Sequence, residues 1–269
     1  MNKVRFINGL LLMVVLLPLV SVSCSVREYR DQCPTYLRIR SDKPLEPGTE
    51  AIVSVFHEED GMVYQLLVPS DSLYPNGCEV KMRRGKLSTN ILAGIKDMTV
   101  FGDMAKIQAA FQSDSLYRLS GSVESNDEEC EIVSSPVKEF TILTLRTNNF
   151  GESFAYKLNG VWDRIYATDF RPGKGNLMFT LNEDFLYEGT YECILSRQGD
   201  DSLSLDVYQA SDLVNPYKSF PLGKLMVQAG YDIDAVPMED VTVDIDLTVG
   251  VITIKVGDWD SVVFSVYKI

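Results

Sequence analysis

Val241-Thr242-Val243-Asp244-Ile245-Asp246-Leu247-Thr248-Val249 puts an apolar residue at every odd position and a polar one between. Side chains of an extended backbone alternate between two faces, so the stretch reads as a strand with one face on a core and the other in water. The same period recurs upstream. Leu37 and Ile39 alternate with Arg38 and Arg40; Leu177, Phe179 and Leu181 with Met178 and Thr180; Leu203, Leu205 and Val207 with Ser204 and Asp206. Asp60-Gly61, Pro75-Asn76-Gly77, Pro172-Gly173-Lys174-Gly175 and Gly199-Asp200-Asp201 supply the turns between such runs. Short alternating strands broken by turns predict an all-β chain built from antiparallel sandwiches. Helix is scarce, and residues 103–112 read as one short connector helix.

A boundary falls where Ser134-Ser135-Pro136 precede an apolar run over residues 140–145 and Thr147-Asn148-Asn149 break it. The expected organisation is a signal peptide over residues 1–23, a polar tether over 24–34, and β-sandwich domains over 35–143 and 144–269. Each half has the usual size of one sandwich domain.

The N-terminus carries Lys3 and Arg5, then an apolar run over residues 9–20, then small residues up to Cys24. A basic start, a short apolar core and a small-residue exit make a secretory signal peptide. The run contains Pro18 and falls short of the ~20 residues a spanning helix needs. Ser21-Val22-Ser23-Cys24 resembles a lipobox, with Ser21 where leucine is usual. Cleavage is expected between Ser23 and Cys24, with lipid carried on the Cys24 sulfur. The tether that follows reaches at most ~35 Å when extended, so the folded body stays close to the membrane.

Removing residues 1–23 takes away Lys3 and Arg5 and leaves 23 basic against 38 acidic residues, a net charge of −15. Such a surface repels nucleic acid and anionic headgroups, so contact with the membrane is expected through the lipid alone. Beside Cys24 stand Cys33, Cys78, Cys130 and Cys193, for which three complete pairings exist. No C-x-x-C occurs, so neither a redox motif nor a zinc ribbon is supported. Cys193, inside Tyr191-Glu192-Cys193-Ile194-Leu195, reads as a buried thiol on the apolar face of a strand.

Catalysis finds little material, and no catalytic residue, metal ligand set or cofactor is assigned. His57 is the single histidine, so any Ser-His-Asp triad must be built on it. Its place in Val55-Phe56-His57-Glu58-Glu59-Asp60-Gly61 suggests a surface residue at a strand end. G-x-S-x-G, H-E-x-x-H and the P-loop are all missing. Gly173-Lys174-Gly175 is most simply a hairpin turn, and Asn126-Asp127-Glu128-Glu129 a solvated loop before a strand. Asp232, Asp234, Glu239 and Asp240 offer oxygen ligands but lack the order and glycine of an EF-hand. Trp162 and Trp259 are either core residues or a sugar platform.

The opening Cys24-Ser-Val-Arg-Glu-Tyr-Arg-Asp-Gln-Cys33-Pro34 resembles the start of fimbrium anchoring subunits of the FimB type, from the lipoprotein-derived type V pili of Gram-negative anaerobes. Pro221-Leu222-Gly223-Lys224, Gly230-Tyr231-Asp232, Asp240 to Leu247 and Ile252-Thr-Ile-Lys-Val-Gly-Asp-Trp259 are similar to that family's ending. The resemblance spans the mature chain and is weakest over residues 60–135. It implies two tandem transthyretin-like sandwiches on an outer-membrane lipoprotein facing outward, which anchors a fimbria by binding the first shaft subunit. Subunits of such pili join by exchanging a strand, which is β-augmentation in physical terms. Because Arg38 and Arg40 lie inside the first strand, the chain is expected to keep that strand. The terminal run, residues 262–269, either completes its own sheet or is offered to a partner. The alternative function is a surface lipoprotein that binds a glycan or another ligand. It expects an exposed tryptophan beside other aromatics, whereas anchoring expects both tryptophans packed. A hydrolase built on two carboxylates is a third, weaker reading.

Overall fold

Alternation at Thr35, Leu37, Ile39 and Ser41 buries one face of the first strand, Pro34–Ser41. The computed structural model describes residues 34–96, 98–101, 104–107, 115–148, 154–173, 177–181, 188–209 and 211–265. The first strand sits at the centre of a three-stranded sheet. Cys78–Arg83 pairs with it antiparallel on one side and Glu129–Ser134 parallel on the other. The facing sheet runs in the order Gly61–Pro69, Glu50–His57, Gly85–Ile95, Tyr117–Ser125, Val137–Lys138. Leu37, Ile39 and Ile132 from the first sheet meet Val53, Val55, Leu87 and Ile91 from the second in one core. That is a sandwich.

Residues 140–265 repeat this arrangement. Phe140–Asn148 lies between Glu188–Ser196, antiparallel, and Val241–Asp246, parallel. The facing sheet follows the order Leu177–Thr180, Phe154–Val161, Ser204–Gln209, Lys218–Phe220. Apart from the two-residue Val137–Lys138, which has no counterpart, the two halves share one topology. In each, the last strand returns beside the first in parallel, which needs a crossover through the other sheet rather than a hairpin. The second half adds a hairpin, Val251–Val256 and Val262–Ser265, to the edge that the first half leaves open. Val241, Val243 and Ile245 are buried as the alternation requires. The strand ends at Asp246, earlier than the pattern suggests. Its carboxylate accepts from the Thr248 and Val249 amides and turns the chain.

The helix expected over residues 103–112 is a strand where it is described. Met104–Ile107 pairs with Met98–Phe101 and with Arg164–Tyr166 from the other half. Pairing with a partner some sixty residues away overrides local helix propensity. The only helix of regular α type among the described residues is Leu222–Gln228, whose Leu222 and Met226 enter the second core.

The halves are stitched end to end. Ile52, Leu92, Ile95 and Leu116 of the first pack with Ile165, Ala167 and Phe170 of the second. Glu139, fully buried at the junction, accepts from the Arg197 guanidinium at 2.8 Å, with the Arg118 Nε at 3.5 Å. Arg197 also donates to the carbonyls of Ile233 and Ala235, holding that loop on the seam. Burial pushes the Glu139 carboxyl above the usual carboxylate range, against the pull of Arg197 and Arg118. A folded-state pKa above the unfolded one means that the fold binds the extra proton, so this group favours folding more as pH falls. Arg197→Met leaves the Glu139 charge buried and without its main partner, which should cost about 3–5 kcal/mol at neutral pH. The loss should shrink on acidification, as Glu139 takes up a proton; urea unfolding at neutral and mildly acidic pH checks both.

Candidate functional site

The two terminal strands among the described residues are held in the fold in opposite ways. The first strand is kept by its position. Leu37 and Ile39 have no exposed surface, and both edges of the strand are hydrogen-bonded. Arg38 and Arg40 point outward from mid-strand, held by Glu79 at 4.0 Å and Glu131 at 2.8 Å. A protease that needs an extended loop meets neither arginine in that form. Pro34 lies opposite Arg83, and the Tyr36 amide donates to the Glu128 carbonyl at 2.7 Å. The chain therefore enters at the end of the first half opposite the seam.

The last described strand contrasts with it at every point. Val262–Ser265 pairs with only one neighbour, at the outer edge of the five-stranded sheet. Val263 is 61% exposed, while Val262 and Phe264 are only partly buried against the core. Ser265 sits opposite Val251, beside the 246–251 turn, so the strand runs toward the end of the second half farthest from the seam. Apolar side chains crowd that end: Val214 is 84% exposed and Val249 69%. The Val214 tip is stiffened by Asp212, whose carboxylate accepts from the Val214 and Asn215 amides at 2.9 Å each. The Asn215 bonds hold the Asp212 carboxyl below its ordinary range.

Ser23 and Cys24, the expected cleavage and lipid sites, lie outside the described residues, as does Cys33. Cys78, Cys130 and Cys193 are free thiols. Cys193 is buried in Glu188–Ser196, and burial pushes its thiol up to about 12. Cys78 and Cys130 flank the first strand, opposite Ile39 and Leu37. Among the described residues no three His, Cys, Asp or Glu side chains gather to hold a metal, and no helix is long and apolar enough to cross a membrane.

Two single-residue expectations need correction. His57 is 3% exposed rather than on the surface. Its Nε2 lies 3.1 Å from the Arg84 carbonyl, which can only accept, so Nε2 carries the hydrogen. The close approach depends on Gly85, at φ +137°, where a Cβ would sit 2.7 Å from that nitrogen. Trp259 is 65% exposed, where the anchor reading expects it packed and the glycan reading expects it exposed, and its Nε1 donates to Glu239 at 3.2 Å. Trp162 is half-buried, and its indole donates to Ser202 Oγ at 2.6 Å. A Cβ on Gly199 would lie 2.1 Å from the Trp162 ring, so the glycine makes room for it.

No protein-family model matches the chain, and no curated protein matches it in sequence. Its fold does have counterparts: the chain shares the fold of a class of solved structures that includes a fimbrial anchor and adhesin candidates. The anchor is Mfa2 from Porphyromonas gingivalis, with a TM-score of 0.58 at 11% identity over 87% of this chain and 100% of that one. An adhesin candidate from Bacteroides thetaiotaomicron gives 0.56 at 14% identity, covering 86% and 98%. A candidate polysaccharide-binding protein from the same organism gives 0.57 at 10% identity, covering 88% and 99%. At such identities the likeness is one of fold, and it is the fold that the fimbrial resemblance of the sequence implies.

Proposed function

We propose that this protein anchors a fimbria to the outer membrane, held by lipid on Cys24 and joined to the first shaft subunit through a strand. The contrast between its two terminal strands carries the reading. The first is central, buried and nearest the tether; the last is an exposed edge at the far end. An anchor needs this polarity, because cutting or releasing the first strand would also cut the tether. The terminal run, residues 262–269, is the one offered: in its sequence the apolar Val262, Phe264 and Val266 recur at every second position, as pockets along a partner's sheet require. The second reading, glycan binding, gains support from exposed Trp259, although no described aromatic ring packs beside it. Cys24→Ala tests the anchor. Both halves should fold unchanged, while the protein and the pilus it holds move from the membrane fraction to the medium. Cys24→Ala protein that stays with the membrane contradicts the proposal.

A further inference from the structure

The end of the first half where the chain enters carries a cleft of about 720 Å³ that pilus anchoring does not use. Apart from Gly85 the residues that line it are all polar or charged, His57 among them. One side chain there differs from its kind. Each of the other eight described arginines has a carboxylate oxygen within 4.0 Å. Arg84 has none among the described residues, in a protein of net charge −13 where carboxylates abound. Its Nη1 donates to the Asn126 carbonyl at 3.1 Å, while its Nε is buried and unpartnered. Its backbone is pinned by the His57 bond to its carbonyl. In the same wall Ser125, 1% exposed, has a hydroxyl with no partner.

Buried polar groups are seldom left unmatched, and a guanidinium fork is matched by a planar oxyanion. The neighbouring charges decide which kind. Arg83 is neutralised by Glu59, and Lys86 by Glu58 at 3.3 Å. Arg84 is therefore one uncompensated positive charge, suited to one negative charge. A phosphate dianion would bring a second charge that no cation is left to match, since Arg83 and Lys86 are already paired with Glu59 and Glu58, and Glu124 adds a like charge to the same lining. Those same carboxylates, with Asn126, are good acceptors for hydroxyl groups. The cleft has the size of an ordinary small-ligand site. We propose that it binds a carboxylated sugar, with the carboxylate on the Arg84 fork and Ser125 and the sugar hydroxyls on the carboxylate walls.

The test uses the purified full chain with sodium D-glucuronate, glucose and sodium acetate as probes, read by calorimetry and saturation-transfer NMR. Glucuronate should bind, glucose should not, and acetate should be at least about tenfold weaker, since it lacks the hydroxyls. Arg84→Gln should weaken glucuronate about tenfold or more. Arg84→Lys, which keeps the charge and loses the fork, should recover only part of that. Ser125→Ala should weaken it several-fold, and Arg164→Gln, far from the cleft, should change nothing. Absence of glucuronate binding overturns the proposal. So does glucuronate binding that Arg84→Gln leaves intact, or acetate binding as tightly, which would mark a nonspecific anion contact. The cleft and the terminal strand lie at opposite ends, so pilus anchoring stands or falls separately.

Discussion

Leu37→Asp is expected to destabilise the first half by more than about 4 kcal/mol, enough to unfold much of it at 37 °C. Leu37 has no exposed surface and sits at the middle of the central strand, opposite Val80 on one side and Cys130 on the other. A carboxylate there loses its water and meets only apolar neighbours, so it must either stay charged in a poor solvent or bind a proton. The matched control is Val263→Asp, on the 61% exposed face of the last strand. It should stay within about 0.5 kcal/mol of the parent, as surface substitutions do. Urea unfolding of both variants reads the difference. Equal, small effects would mean that the first strand is as dispensable as the last, and the polarity argued for this protein would be lost.

Local periodicity made much of the fold legible. Alternation located the first strand, Ser204–Gln209 and Val241–Asp246, and it placed Cys193 on a buried face. What it did not reveal were relations between distant segments. The equivalence of the two halves rests on strand order, which leaves no repeated residues to find. Residues 103–112 look helical because Ala, Lys, Gln and Met favour helix, yet Met104–Ile107 is recruited by Arg164–Tyr166. The helix Leu222–Gln228 was hidden behind Pro221 and Gly223, which weigh against helix locally, although proline is well suited to a helix start. His57 looked exposed among acidic neighbours, and only the approach of Gly85 and Arg84 from another strand buries it. The Arg84 cleft was invisible for the same reason, since it joins three turns that are far apart in sequence. Trp259 departs from what the anchor reading expects in the opposite direction. It follows Val256 in a tight turn, its amide donating to the Val256 carbonyl at 3.0 Å, which leaves the ring outside the core.

The larger functional effect is expected at the other terminus. Truncation after Ser261 removes residues 262–269; the described part, Val262–Ser265, is bonded to one neighbour and has two partly buried side chains, Val262 and Phe264. Half-burying two such residues contributes roughly 2–3 kcal/mol, so the truncated protein should fold, with Ile252 and Ile254 still under the facing sheet. If the terminal run is the donated strand, as proposed, the capacity to hold a shaft subunit should vanish, because main-chain pairing and alternate side chains would supply the joint. Circular dichroism and urea unfolding establish that the fold persists. The deciding measurement is a pull-down from intact cells of the full chain and of the chain truncated after Ser261. A pilin that co-purifies with the full chain and is lost on truncation is the predicted result. A pilin retained by the truncated chain, or none with either, contradicts the account.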